Sequence, residues 1–295
     1  MRKLTLTLAL VASGVFCAVA ATGDVEAARA ALTARVASID CDGLPGPLIC
    51  LDDRAFGVVA CRNYDGTRHP VVAAAFAGDG RVVAYGHPSF ICSPHFLGDT
   101  ATMLSNTVAW LAHRRDPADV TVGVVRNDGV RKMLAALGVD HRRCDTFAEA
   151  SKYPLVAFYP DDVPVAEYPA VPDYVRRGGG LLTAALTWGW KYGALRTTGK
   201  ISPALDYDAE RLLAGFGLVA GDLGVNRTGP GNRGFLVSTG LPFGSTLPEA
   251  MEVLRRDPLL ADDSVRKQVA RTLLQTAGCC PPGTGGLYSE LQRLA

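Results

Sequence analysis

The chain has 295 residues, with 30 Lys+Arg against 29 Asp+Glu and 48% hydrophobic content. A formal net charge of +1 with no basic cluster argues against nucleic acid as a partner. Length and apolar share together allow one large core or two small ones.

Arg2 and Lys3 form a basic start, Leu4 to Val19 run without a charge, and Ala18-Val19-Ala20 offers small residues for cleavage. This is the layout of a secretory signal peptide over residues 1–20. The run is short of the roughly 20 apolar residues that span a bilayer, so no membrane span is expected after cleavage. Export implies a secreted or extracellular protein, periplasmic if the source is bacterial. Of 8 cysteines, Cys17 leaves with the leader. An oxidising compartment favours disulfides among the seven others, with Cys41–Cys50 and Cys61–Cys92 as candidate pairs. Spacing alone does not fix that connectivity.

Residues 21–47 read as an N-terminal helix (Ala27 to Ser38) and a Gly/Pro linker. Leu48 to Leu51, Phe56 to Ala60, His69 to Phe76 and Arg81 to Gly86 read as strands, with hairpin turns at Asp65-Gly66 and Gly78-Asp79-Gly80. The period then changes. Asp99 to His113 is a helix with Met103, Leu104, Val108 and Leu111 on one face, capped by Asp99 or Thr100. Val120 to Val125 is a strand, and a helix capped by Asn127 or Asp128 follows. Leu155 to Tyr159, a short helix Val171 to Arg177 and a strand Leu181 to Ala185 complete the alternation. Apolar strands alternating with helices predict an α/β fold: a doubly wound, mostly parallel sheet with antiparallel hairpin strands at one edge.

Further on, Asp208 to Ala214 is helical and Phe235 to Ser238 extended. Thr246-Leu247-Pro248-Glu249 is a capping box, and Ser264 to Thr276 is a helix. The predicted organisation is one domain over 48–278 with a tail over 279–295.

Three segments in order carry a family resemblance. They are Gly80-Arg81-Val82-Val83-Ala84-Tyr85-Gly86-His87, then Asn106 with Trp110-Leu111, then Arg177-Gly178-Gly179-Gly180-Leu181-Leu182 before Thr187-Trp188-Gly189-Trp190. Together they resemble the amino-terminal domain of the TRP channel-associated factor family, which also precedes the catalytic domain of enhancin-like metallopeptidases. That domain is similar in fold to class I glutamine amidotransferases. The resemblance covers roughly Leu48 to Leu218.

Amidotransferase-like enzymes place Cys or Ser at a sharp strand-to-helix turn. Here the turn reads Ala185-Leu186-Thr187-Trp188-Gly189, no histidine follows His141, and no His-Glu-x-x-His motif is present. The resemblance with these departures implies a non-catalytic recognition or scaffold domain needing no cofactor and binding an extracellular protein, peptide or glycan. Its crevice would be lined by His87, Thr187, Trp188 and Trp190, with Asn106 meeting backbone nearby. The alternative is a hydrolase using Thr187 with His87, or a metal at His87 and His95. The spacing of His87, Cys92 and His95 matches no common zinc module. Asn226-Arg227-Thr228 is a glycosylation sequon on an expected mobile Gly-rich loop.

Overall fold

The computed structural model describes residues 22–114, 116–200, 204–256 and 261–294. The leader read at residues 1–20 lies outside the described residues. In chain order the elements are α1 (Thr22–Leu32), β1 (Ser38–Asp40), β2 (Leu48–Cys50), β3 (Ala55–Arg62), β4 (Arg68–Ala77) and β5 (Gly80–Tyr85). Then come α2 (Ser89–Cys92), β6 (Leu97–Gly98), α3 (Thr100–Leu111), β7 (Thr121–Val125), α4 (Asp128–Ala136), β8 (Asp140–Cys144) and α5 (Phe147–Ala150). The remainder is β9 (Leu155–Ala157), α6 (Ala170–Arg176), β10 (Gly180–Ala184), α7 (Thr187–Thr198), α8 (Asp208–Ala214), β11 (Leu218–Ala220), β12 (Phe235–Leu236), α9 (Leu247–Arg256), α10 (Asp263–Cys279) and α11 (Leu287–Leu294).

Seven strands form the main sheet in the order β3-β4-β5-β10-β9-β7-β8. The pairs from β5 to β8 are parallel, and the β3-β4-β5 meander supplies the antiparallel edge. The central strands are Val-, Leu- and Ala-rich because both their faces are covered. Leu182 and Ala184 of β10 pack on the side of α1, α3 and α4, while Leu181 and Ala185 pack on the side of α5, α6 and α8. The doubly wound reading is thus the observed architecture.

Two features of the local sequence set where elements begin and end around the parallel strands. Asn127 Oδ1 accepts from Val130 N at 2.8 Å, starting α4 where the sequence places its cap. Gly178 adopts φ +100 at the end of α6, a left-handed conformation that glycine takes without steric cost and that turns the chain into β10.

Several elements differ from expectation. The helix predicted over Ala27 to Ser38 begins and ends earlier, and Ser38–Asp40 becomes a strand beside β12 and β6. Asp99 sits at the start of α3, yet its carboxylate accepts from Ala37 N at 2.8 Å and Ser38 N at 3.2 Å instead of capping. The Leu48–Cys50 strand leaves the meander and pairs with β11 in a separate two-stranded sheet. It is wholly buried because apolar clusters cover it on both sides. The tail contains a helix, α11, whose Tyr288 and Leu291 pack under α9.

The capping box is formed as read: Thr246 Oγ1 accepts from Glu249 N at 3.4 Å and Glu249 Oε2 accepts from Thr246 N at 3.2 Å. Thr246→Ala is expected to cost about 1 kcal/mol in urea unfolding. A cost indistinguishable from zero would mean that α9 is held by its packing alone.

All seven described cysteines are free thiols. The expected pairs do not form. Cys41 and Cys50 lie in separate packing clusters. Cys61 is occupied on its own hairpin, where its Sγ donates to His69 O at 3.1 Å. Cys92 hydrogen-bonds Asn127. Burial pushes the thiols of Cys50, Cys61 and Cys92 up to about 12, so they stay protonated and unreactive near neutrality.

Candidate functional site

Parallel sheets place ligand crevices beyond the carboxyl ends of their strands. At that edge the β10-to-α7 turn bends through Leu186, at φ −141 and ψ 70, and delivers Thr187 as the first residue of α7. Thr187 is entirely buried. Its hydroxyl donates to Glu210 Oε1 on α8, and Glu210 Oε2 accepts from Ala220 N of β11 at 2.9 Å. Glu210 is also fully buried. Burial pushes its carboxyl up to about 8, against the two hydrogen bonds, which favour the carboxylate. The hydroxyl at the elbow therefore ties three elements together and reaches no solvent.

The crevice beside this elbow, between the ends of β5 and β10, is filled by the chain's own linker. Gly46 N donates to Gly86 O at 2.8 Å, and Trp188 Nε1 donates to Leu44 O at 3.2 Å. From the other side Val225 N donates to Pro45 O at 2.9 Å and Gly221 N to Pro47 O at 2.7 Å. The fit is close enough that a Cβ on Gly86 would stand 2.1 Å from Gly46 O. Pro45, Gly46 and Pro47 are buried. The His87 ring lies against Gly43, and its Nδ1 accepts from Ser89 N at 3.0 Å. Burial, and beyond it the charge of Arg227, lowers its pKa to about 4, so the ring is neutral. No hydrogen bond joins His87 to Thr187 among the described contacts. His87 is engaged with Ser89 and Gly43 and Thr187 with Glu210, so the two are not paired as nucleophile and base.

The other expected site residues disperse. Trp188 and Trp190, both half-buried, point apart from α7: Trp188 toward Leu44 and Tyr192, Trp190 toward Tyr207. Asn106 is far from this edge in its contacts. Its Nδ2 donates to Leu32 O at 3.1 Å and Ala34 O at 2.8 Å, satisfying carbonyls at the end of α1. His95 is exposed, with its backbone N bonded to Ser93 Oγ at 3.1 Å. Among the described residues, no group of three or more His, Cys, Asp and Glu side chains could hold a metal ion. The sequon at Asn226 is on a pinned segment instead of a mobile loop. Asn226 bridges Arg62 through backbone bonds of 2.7 and 3.0 Å, and Arg227 Nε donates to Asp40 Oδ1 at 2.6 Å.

An open cleft remains on the far side of α7, and sequence reading missed it apart from Trp190. Adjacent strands β7 and β9 send their following helices, α4 and α6, to opposite faces of the sheet, which makes their carboxyl ends the topological switch point. Asn127 Nδ2 donates to Asp162 Oδ2 across that point at 2.6 Å. Beside it lies a cleft of 360 Å³ whose walls include Asp161, Tyr168, Trp190 and Tyr207. Trp190 and Tyr207 stack with centroids 5.0 Å apart and planes at 20°. The Tyr207 hydroxyl donates to that of Tyr159 at 3.1 Å, and both hydroxyls lie close to Asp161. Burial raises Asp161 above the ordinary carboxylate range, and neighbouring Asp162 adds to this against the Tyr207 hydrogen bond.

Comparison with known proteins gives three findings. The family model described as "TRPM8, N-terminal domain" matches residues 9–227. A TRPM8 channel-associated factor homolog of Xenopus laevis is 28% identical over 152 residues, covering 51% of this chain and 15% of that protein. TRPM8 channel-associated factor 1 of Bos taurus is 34% identical over 151 residues, covering 50% and 14%. The chain thus spans a small part of the length of these relatives. Among solved structures, the IMPa metallopeptidase from Pseudomonas aeruginosa superposes with a TM-score of 0.50 at 16% identity, over 78% of this chain and 27% of that one. That likeness is one of fold. No helix among the described residues is long and apolar enough to cross a membrane.

Proposed function

Because this chain belongs to the TRPM8 channel-associated factor N-terminal domain family, as the match over residues 9–227 establishes, we propose that it serves as a non-catalytic recognition or scaffold domain. The observation that carries this reading is the sealed elbow. Where an amidotransferase-like enzyme would expose a nucleophile, Thr187 is buried and bonded to Glu210, and the linker fills the crevice beside it. A hydroxyl sealed from solvent, whose only acidic neighbour is equally buried, has no substrate to attack. The relatives are named as channel-associated factors, which supports association with a partner as the role here. The leader-like residues 1–20 support action outside the cytoplasm, on an extracellular protein, peptide or glycan.

The test is a panel of ester, amide and glutamine substrates run beside a glycopeptide and peptide binding screen, on the wild-type chain and Thr187→Val. The expected result is no turnover above buffer, with saturable binding of at least one ligand class that is the same in both proteins. Turnover that Thr187→Val abolishes would overturn the proposal.

A further inference from the structure

The open cleft has a chemistry that neither the family match nor the recognition role specifies. Its aromatic wall is built: Trp190 lies flat on Tyr207, and Tyr168, whose hydroxyl donates to Pro160 O at 3.0 Å, is fixed beside them. Asp161, exposed to solvent, lies close to the Tyr159 and Tyr207 hydroxyls, and Asp206 and Asp208 line the same cleft. None of the described residues lining the cleft is Lys or Arg. Arg211 reaches Asp208 at 3.5 Å but does not line the cleft, and that pair is largely exposed. Electron-rich ring faces and carboxylates with no basic residue in the lining attract the same kind of group, a cation on a slender stem. The volume of 360 Å³ has room for one long side chain.

From this charge and shape complementarity we propose that the cleft receives a basic side chain, lysine or arginine, of a partner polypeptide. The proposal rests on the recognition reading above and adds the ligand class. The ammonium or guanidinium group would pair with Asp161 while its stem lies along the Trp190–Tyr207 wall. Asp206 and Asp208 would contribute long-range attraction at the mouth. Such a site discriminates against acidic and neutral peptides by charge, and its affinity falls with salt.

The experiment titrates the full chain with capped tetra-arginine, tetra-lysine, tetra-glutamine and tetra-glutamate peptides, following the Trp190 indole N–H resonance by NMR. Saturable shifts are expected with the two basic peptides only. Asp161→Asn, which preserves shape, is expected to weaken basic-peptide binding at least tenfold, and Trp190→Leu at least fivefold. Asp222→Asn, outside the cleft, is expected to leave it unchanged. Should Asp161→Asn fail to fold by circular dichroism, Asp206→Asn at the exposed rim is expected to weaken binding by two- to fivefold. Equal binding of tetra-glutamine, the absence of any saturable shift, or indifference to the cleft variants overturns the assignment. A neutral glycopeptide or peptide captured in the separate screen would then leave the recognition role standing without the basic ligand. Turnover dependent on Thr187 would instead overturn that role itself.

Discussion

Glu210→Ala is expected to destabilise the protein by about 3–5 kcal/mol, because it leaves a cavity and strands the Thr187 hydroxyl and the Ala220 N–H without their acceptor. Glu210→Gln separates this structural loss from charge. The wild-type carboxyl has its pKa raised from 4.5 to about 8 by burial. Below pH 4.5 it is protonated in both folded and unfolded chains and contributes no pH dependence. Between 4.5 and 8 the unfolded chain ionises first, so stability falls as pH rises, by at most about 1.4 kcal/mol per pH unit. Above 8 the loss is complete and the curve levels. The Gln variant keeps the shape and lacks the titration. Urea unfolding at pH values from about 6.5 to 8, above the range in which the buried histidines titrate, is expected to show a declining stability for the wild type and a flatter profile for Glu210→Gln. The same slope in both proteins would mean that another group titrates in this range.

His69 is expected to act in the opposite direction. It is buried on β4, where Asn63 Nδ2 donates to its Nδ1 at 2.8 Å. Its Nε2–H therefore donates to Thr272 Oγ1 on α10 at 2.9 Å, and Thr272 passes its own proton to Gly244 O at 2.6 Å. A second proton on Nδ1 would face the Asn63 amide hydrogens. Burial, followed by the charge of Arg271, depresses its pKa from 6.5 to about 4, while Asp65 opposes the shift weakly. Stability is therefore full above pH 6.5 and falls as pH drops toward 4, again by at most about 1.4 kcal/mol per unit. His69→Leu is expected to cost about 1–3 kcal/mol at pH 7 and to make the acid limb shallower, leaving the part that His87 supplies. An unchanged acid limb in the variant would assign it to other groups. Between about pH 4.5 and 6.5 the slopes of Glu210 and His69 oppose each other, and His87, lowered in the same way as His69, moves the stability maximum toward the upper end of that range.

The parts of this fold that read clearly from sequence are those whose packing imposes a period. β5, β7, β9 and β10 are apolar throughout because helices cover both faces, and α3 and α4 carry one apolar face each. β8 was missed because Asp140–Cys144 is an exposed edge strand, polar along most of its length. α7 was missed for a different reason. Gly189 and Gly193 interrupt it, only Thr187 of its residues is buried, and it therefore shows no apolar stripe.

At the site, Thr187 was legible as the elbow residue, since the turn follows a glycine-bounded strand. Its partner was not. Glu210 follows Asp208 in what reads as an ordinary acidic first turn, and only the packing of α8 beneath the elbow buries it. The cleft was legible solely through Trp190. Asp161 and Tyr207 come from short irregular segments with no period, and a stacked pair 17 residues apart leaves no mark in local spacing.

The segment lodged between β5 and β10 also constrains the order of assembly. Leu44, Pro45 and Pro47 are synthesised early, yet the groups that hold them belong to Trp188, Val225 and Gly221. On the ribosome this stretch lacks its last partner until Val225, about 180 residues further on, has emerged. Closing so long a loop carries an entropic cost before any contact rewards it. The meander can pair beforehand from neighbouring sequence, so docking of this segment is a late step, and a nascent chain halted before residue 221 would lack its latch.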